Sequence, residues 1–157
     1  NCSLKMALRR IQKELRDIEL AQDPSFIVRP INDDNFFEWR AVIFGPQGSP
    51  YEGGKFHLSI SLPQDYPFKP PRISLLTKIY HPEINRDGSF NLEVLWRLWS
   101  PTLVVSKVIS KVVEMLASPN PGNPVAYDIV EQMKQDRQAF EETAREWTRA
   151  YANDDSN

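Results

Sequence analysis

Apolar residues recur at helical spacing near the start of the chain. Leu8, Ile11, Leu15 and Ile18 form one stripe, while Arg9, Arg10, Lys13 and Arg16 crowd the polar side. That spacing predicts an amphipathic helix from Ala7 to about Leu20, ended by Asp23-Pro24. The period then changes to two. Phe26 to Pro30 is short and apolar. In Phe36 to Phe44, Phe37, Trp39, Ala41 and Ile43 alternate with Glu38, Arg40 and Val42. In Phe56 to Leu62, Phe56, Leu58, Ile60 and Leu62 alternate with His57, Ser59 and Ser61. Alternation with aromatic and β-branched residues predicts half-buried antiparallel strands, and Gly45-Pro46-Gln47-Gly48-Ser49-Pro50 predicts the turn between the last two. A fourth strand, Arg72 to about Leu76, follows the stiff run Tyr66-Pro67-Phe68-Lys69-Pro70-Pro71.

Regular patterning lapses from Thr77 to Trp99, and long irregular segments inside compact domains are often functional. Ser100-Pro101 then predicts a helix start, with Ser100 as N-cap and Pro101 in the first turn. Leu103, Val104, Val108, Ile109, Val112 and Leu116 leave that helix apolar on most sides, as expected of a central core helix running to Ala117. Beyond the breaker loop from Ser118 to Pro124, two more helices are predicted. The last, Arg137 to Tyr151, aligns Phe140, Ala144, Trp147 and Tyr151. A helix, four sequential strands and segregated helices make an α+β fold with an antiparallel meander. No internal repeat or second domain is visible.

Composition narrows the function classes. The chain has 157 residues, 41% apolar and 25% charged, one domain's worth of ordinary globular sequence. A net charge of −2 gives no general case for nucleic acid or membrane binding. No apolar run nears the ~18 residues of a membrane span, and no signal peptide is recognisable. The single cysteine, Cys2, cannot form an internal disulfide, which suits a reducing compartment. The expectation is an intracellular protein, cytoplasmic or nuclear. Two histidines and one cysteine far apart in sequence suggest neither a metal site nor a cofactor. Residues 1–5 read as a tail or expression remnant ahead of Met6. Residues 6–152 read as the core domain, and 153–157 as a flexible polar tail.

Several stretches carry a resemblance. Met6-Ala7-Leu8-Arg9-Arg10-Ile11-Gln12-Lys13-Glu14-Leu15, Tyr51-Glu52-Gly53-Gly54 and Tyr66-Pro67-Phe68-Lys69-Pro70-Pro71 occur in order. They are followed by Lys78-Ile79-Tyr80-His81-Pro82, Asp87-Gly88-Ser89, Trp99-Ser100-Pro101 and Ala144-Arg145-Glu146-Trp147. Each is weak alone. Their joint order and spacing, from Met6 to about Ala152, resemble the core of the ubiquitin-conjugating enzymes. The resemblance implies that family's fold and its chemistry, which carries ubiquitin as a cysteine thioester and passes it to lysine.

Three positions depart from the family pattern. The nucleophilic cysteine belongs three residues after the Gly of Asp-Gly-Ser, where this chain has Asn91. The oxyanion-supporting Asn after His-Pro is replaced by Glu83. The acidic residue common in the Pro-rich loop matches Asn123. A thiolate is a strong nucleophile near neutral pH, whereas an amide nitrogen has its lone pair delocalised into the carbonyl. Asn91 therefore cannot form the thioester. An ionised Glu83 offers no donor to a developing oxyanion, although it can also be read as pointing to solvent. The resemblance makes His81 a loop-shaping histidine rather than a general base. His57 reads as an exposed strand residue, and Cys2 as a tail residue far from the groove.

The binding surfaces keep more of the family pattern. The ligase-contacting positions match Arg9, Arg10 and Lys13 of the first helix, Pro67 and Phe68, and then Trp99, Ser100, Pro101 and Thr102. Thr102 stands where many ligase-binding members have Ala. Phe68, between prolines, reads as a rigid apolar anchor. The basic helix residues also resemble those that meet the activating enzyme. Ile27-Val28-Arg29-Pro30 matches a non-covalent ubiquitin surface of some relatives, with Val28 and Arg29 departing from it. Three readings follow. One is a catalytically dead variant that binds RING or HECT ligases, an active conjugating enzyme or ubiquitin as modulator or decoy. The second is a conjugating enzyme that is inactivated here or uses an unusual nucleophile. The third is a scaffold module with different partners.

Overall fold

The structure is a computed structural model, and it describes residues 2–90, 97–122 and 124–153. Helix α1 spans Cys2–Ala21 and is followed by strands β1 (Phe26–Asn32), β2 (Asn35–Phe44), β3 (Lys55–Ser61) and β4 (Arg72–Leu75). Three helices close the chain: α2 (Val105–Ala117), α3 (Tyr127–Gln135) and α4 (Arg137–Tyr151). The strands form one antiparallel sheet in the order β1-β2-β3-β4, the meander expected of sequential strands with short turns.

Register explains the core. Cross-strand rows join Phe26, Ile43 and Phe56; then Val28, Ala41, Leu58 and Leu75; then Pro30, Trp39, Ile60 and Ile73. Because side chains alternate across a strand, each row falls on one face of the sheet. In one buried cluster with that face lie Ile11 of α1 and Val105, Val108, Ile109, Val112 and Leu116 of α2. A smaller cluster of Ile129, Met133 and Phe140 holds α3 to α4, with Tyr80 packed against it.

Two helix boundaries differ from the sequence expectation. Helix α1 begins at Cys2, so residues 2–5 are helical rather than a tail. Nothing in Ser3-Leu4-Lys5 breaks a helix, and Leu4 continues the spacing to Leu8. Helix α2 begins at Val105, not after Ser100. Ser100 closes a turn instead, its carbonyl accepting the Leu103 N–H at 2.9 Å and its hydroxyl pairing with Thr102 Oγ1 at 2.7 Å. Val104, the residue before α2, has no capping side chain, and the Val105 N–H is satisfied by Glu14 of α1 at 2.8 Å. A cap supplied by another helix leaves no local sequence signal. On α4, Phe140, Ala144 and Thr148 are the buried residues, while Tyr151 is exposed. Residues 154–157 of the expected tail lie outside the described residues.

Candidate functional site

Two of the groove candidates, His81 and Glu83, lie at the C-terminal end of α2. The imidazole of His81 is fully buried, and its Nε2 lies 2.8 Å from the carbonyl of Met115. Met115 is in the last turn of α2, where carbonyls lack helical partners. His81 Nδ1 accepts the Glu83 N–H at 3.0 Å. Nδ1 as acceptor makes Nε2 the protonated nitrogen, donating to Met115. Both nitrogens are occupied, and burial holds the imidazole neutral with its pKa lowered to about 4. The Tyr51 ring lies 5.5 Å from the imidazole, and its hydroxyl donates to the Tyr80 carbonyl at 2.6 Å. Burial, then the Glu83 charge, pushes the Tyr51 hydroxyl well above its usual range.

Glu83 does not point to solvent. It is 6% exposed, and its Oε1 accepts the Asn120 N–H at 2.7 Å. The Pro82 carbonyl accepts the N–H groups of both Val125 and Ala126, at 3.0 and 3.1 Å. These bonds pin the Pro-rich loop onto the His81-Pro82-Glu83 turn. Burial raises the Glu83 pKa and the Asn120 bond partly offsets that.

The Asp87-Gly88-Ser89 turn is held in two ways. Ile84 and Phe90 pair as an antiparallel bridge, and Asn85 bonds Ser89 through both backbone and side chain. Gly88 has φ +90°, and a Cβ there would lie 2.0 Å from the Leu75 carbonyl oxygen. Asp87 accepts from the Ser89 hydroxyl and N–H, which lowers its pKa. Asn91 and Asn123, the other degenerate positions, lie outside the described residues. Among the described residues, no group of His, Cys, Asp and Glu is arranged to hold a metal, and no helix is long and apolar enough to cross a membrane.

The docking candidates sit at the other end of α2. Ten residues separate Val105 from Met115, about 15 Å at the helical rise. Phe68 is 66% exposed, with Pro101 and Thr102 also exposed and Trp99, Ser100 and Pro67 half-buried. The Trp99 indole N–H donates to the Pro67 carbonyl at 2.8 Å, which brings the two candidate docking loops together. Arg9 is exposed, and Lys13 pairs with Asp17 at 2.9 Å on the surface. Arg10 turns inward instead. It donates to Glu14 and to the Leu103 carbonyl, both at 2.7 Å, so its guanidinium serves the interior. The sequence reading missed Leu98, 70% exposed beside Trp99. It also missed Glu14, although a Glu between Ile11 and Leu15 on the apolar stripe was a usable signal. His57 is half-buried rather than exposed.

Ile27 and Arg29 are exposed on β1 and Val28 is half-buried, and all three line a groove of about 530 Å³ between β1 and the end of α1. Cys2 is an exposed free cysteine in the first turn of α1.

An N-terminal helix, a four-stranded meander, a central helix and a His-Pro turn packed beneath a Pro-rich loop define the ubiquitin-conjugating fold class. The chain belongs to the ubiquitin-conjugating enzyme family, whose pattern it matches over residues 10–148. Two solved structures share its shape. A Plasmodium yoelii protein designated a ubiquitin-conjugating enzyme superposes with a TM-score of 0.88 at 41% identity, covering 93% of this chain and 95% of that one. The E2 domain of a Toxoplasma gondii ubiquitin-conjugating enzyme gives 0.85 at 36% identity, covering 92% and 98%. This is a ubiquitin-conjugating-enzyme-like protein of the ubiquitin pathway.

Proposed function

We propose that this chain has lost thioester chemistry and acts by binding. One observation carries the reading: its only cysteine is Cys2, on the first turn of α1, and Asn91 stands at the position matched to the nucleophile. An amide nitrogen does not replace a thiolate as acyl acceptor. Two features support this. Glu83 is committed as an acceptor to the Asn120 N–H, where acyl transfer calls for a donor. His81 has both ring nitrogens engaged, so it is no general base. The exposed Phe68 and Pro101, on loops joined by the Trp99–Pro67 bond, support binding of a RING or HECT ligase domain. An active conjugating enzyme, the activating enzyme or ubiquitin are the other partners, and the protein would act as modulator or decoy inside the cell.

Two experiments test the proposal. Asn91→Cys should accept ubiquitin from activating enzyme and ATP as a thiol-sensitive adduct. Discharge to lysine should stay slow until Glu83→Asn is added, by roughly 10²-fold or more, the size of one missing oxyanion donor. Fast discharge from the single variant would contradict the role given to Glu83. Separately, a RING domain that binds the wild type should lose about tenfold or more in affinity on Phe68→Ala. Absence of binding across a RING panel, or no effect of Phe68→Ala, would favour a plain scaffold.

A further inference from the structure

A buried polar cluster remains that neither the groove nor the docking contacts use directly. The Glu14 carboxylate is only 4% exposed on the inner face of α1. Its Oε1 accepts the Val105 N–H at 2.8 Å, and its Oε2 accepts the Tyr66 hydroxyl at 2.5 Å and Arg10 Nε at 2.7 Å. Arg10 reaches on to the Leu103 carbonyl at 2.7 Å and lies 5.7 Å over the Tyr66 ring. The Tyr66 hydroxyl is pushed far above its usual range by burial, then by Glu14, so it stays a donor.

The charge is compensated in each way that burial requires. An ion partner, a hydroxyl and a helix N-terminal N–H all point at it. Three segments of the chain converge on the Glu14–Arg10 pair: α1, the Tyr66-Pro67 loop, and the loop from Leu98 to Val104, whose Leu103 carbonyl takes Arg10 and which leads into the Val105 N–H. The last two are irregular backbone, fixed to each other by the Trp99–Pro67 bond and by Tyr66 and Trp99 rings 5.9 Å apart. Each segment also carries an outward residue next to an inward one. Arg9 adjoins Arg10, Phe68 follows Pro67, and Leu98 and Pro101 flank Trp99 and Ser100.

We infer that Glu14 is a positioning residue of the docking surface: its carboxylate sets α1 and the two loops in register, so that Phe68, Leu98 and Pro101 form one preorganised face. This rests on the docking reading above for its purpose, but not for its geometry. Preorganised loops bind with less ordering cost than loose ones, so the effect on a partner is large although Glu14 touches none.

Glu14→Gln keeps the shape but leaves one acceptor oxygen, which cannot serve Val105, Tyr66 and Arg10 together. Two indole N–H groups report the result. That of Trp99 donates across the docking loops, and that of Trp39 donates to the Phe36 carbonyl at 2.7 Å in the sheet. In Glu14→Gln, native-state hydrogen exchange of the Trp99 indole should quicken by about tenfold or more, the scale of one lost charge-assisted bond, with Trp39 little changed. Tyr66→Phe, which removes one donor and little volume, should give a smaller change of the same kind. It also serves if Glu14→Gln does not fold. A RING domain that binds the wild type should bind Glu14→Gln about tenfold more weakly. Its loss should combine with Phe68→Ala to less than the product of the two, as coupled sites do. Equal quickening of both indoles would mean plain global destabilisation and would overturn the inference, as would no change at Trp99. If no RING domain binds the wild type, the docking reading fails, and the two indoles still decide whether Glu14 holds the loops.

Discussion

His81 spends both ring nitrogens inside the protein, one on the last turn of α2 and one on the Glu83 N–H. That use has a consequence for stability. Its folded pKa is lowered to about 4 from 6.5, so between those values the unfolded chain binds a proton that the folded chain refuses. Its contribution is therefore present above pH 6.5 and lost as pH falls toward 4, with about 2 kcal/mol gone by pH 5. Glu83 has the opposite sign. Its raised pKa favours the folded state as pH falls toward the carboxylate range. Urea unfolding of the wild type and His81→Gln from pH 7 to 5 should give a difference curve with the His81 slope; parallel curves would contradict this. At this scale the departures at Asn91 and Glu83 are visible in the sequence once neighbouring residues fix the register, and of the two only Glu83 lies among the described residues. The Glu14 cluster is not visible there, because its four members are spread from residue 10 to residue 105.

The elements themselves were mostly legible where a period persisted. The alternation of Trp39, Ala41 and Ile43, and of Phe56, Leu58 and Ile60, maps directly onto the buried face of β2 and β3. Helix starts were harder. Ser100-Pro101 looks like a cap, but α2 waits until Val105, where Glu14 supplies the missing acceptor. Tertiary capping overrides local preference because an anion at a helix N-terminus satisfies both the open N–H and the helix dipole. The Asp87-Gly88-Ser89 turn gives a test at this scale. Gly88→Ala would put a Cβ 2.0 Å from the Leu75 carbonyl oxygen at φ +90°. It should cost about 2 kcal/mol or more in denaturant unfolding, with backbone shifts around Leu75 and Asn85. A variant within about 0.5 kcal/mol of wild type would show that the turn relaxes freely.

Across the whole molecule, α2 separates two regions. Its C-terminal end carries His81 and the Glu83 latch onto Asn120, and its N-terminal end carries the Glu14 cluster beneath the candidate docking loops. Changes at one end should therefore leave the other intact. Phe68→Ala removes a side chain that is 66% exposed, so melting should shift by no more than ~0.5 kcal/mol in stability while ligase binding falls. A stability loss of several kcal/mol would make Phe68 a packing residue. The central claim is the loss of thioester chemistry, and one assay meets it directly. The wild-type chain is incubated with activating enzyme, ATP and ubiquitin and resolved without reductant, beside Cys2→Ser. The account predicts no thiol-sensitive ubiquitin adduct on either protein; such an adduct on the wild type would contradict it, and its loss in Cys2→Ser would identify the sulfur responsible.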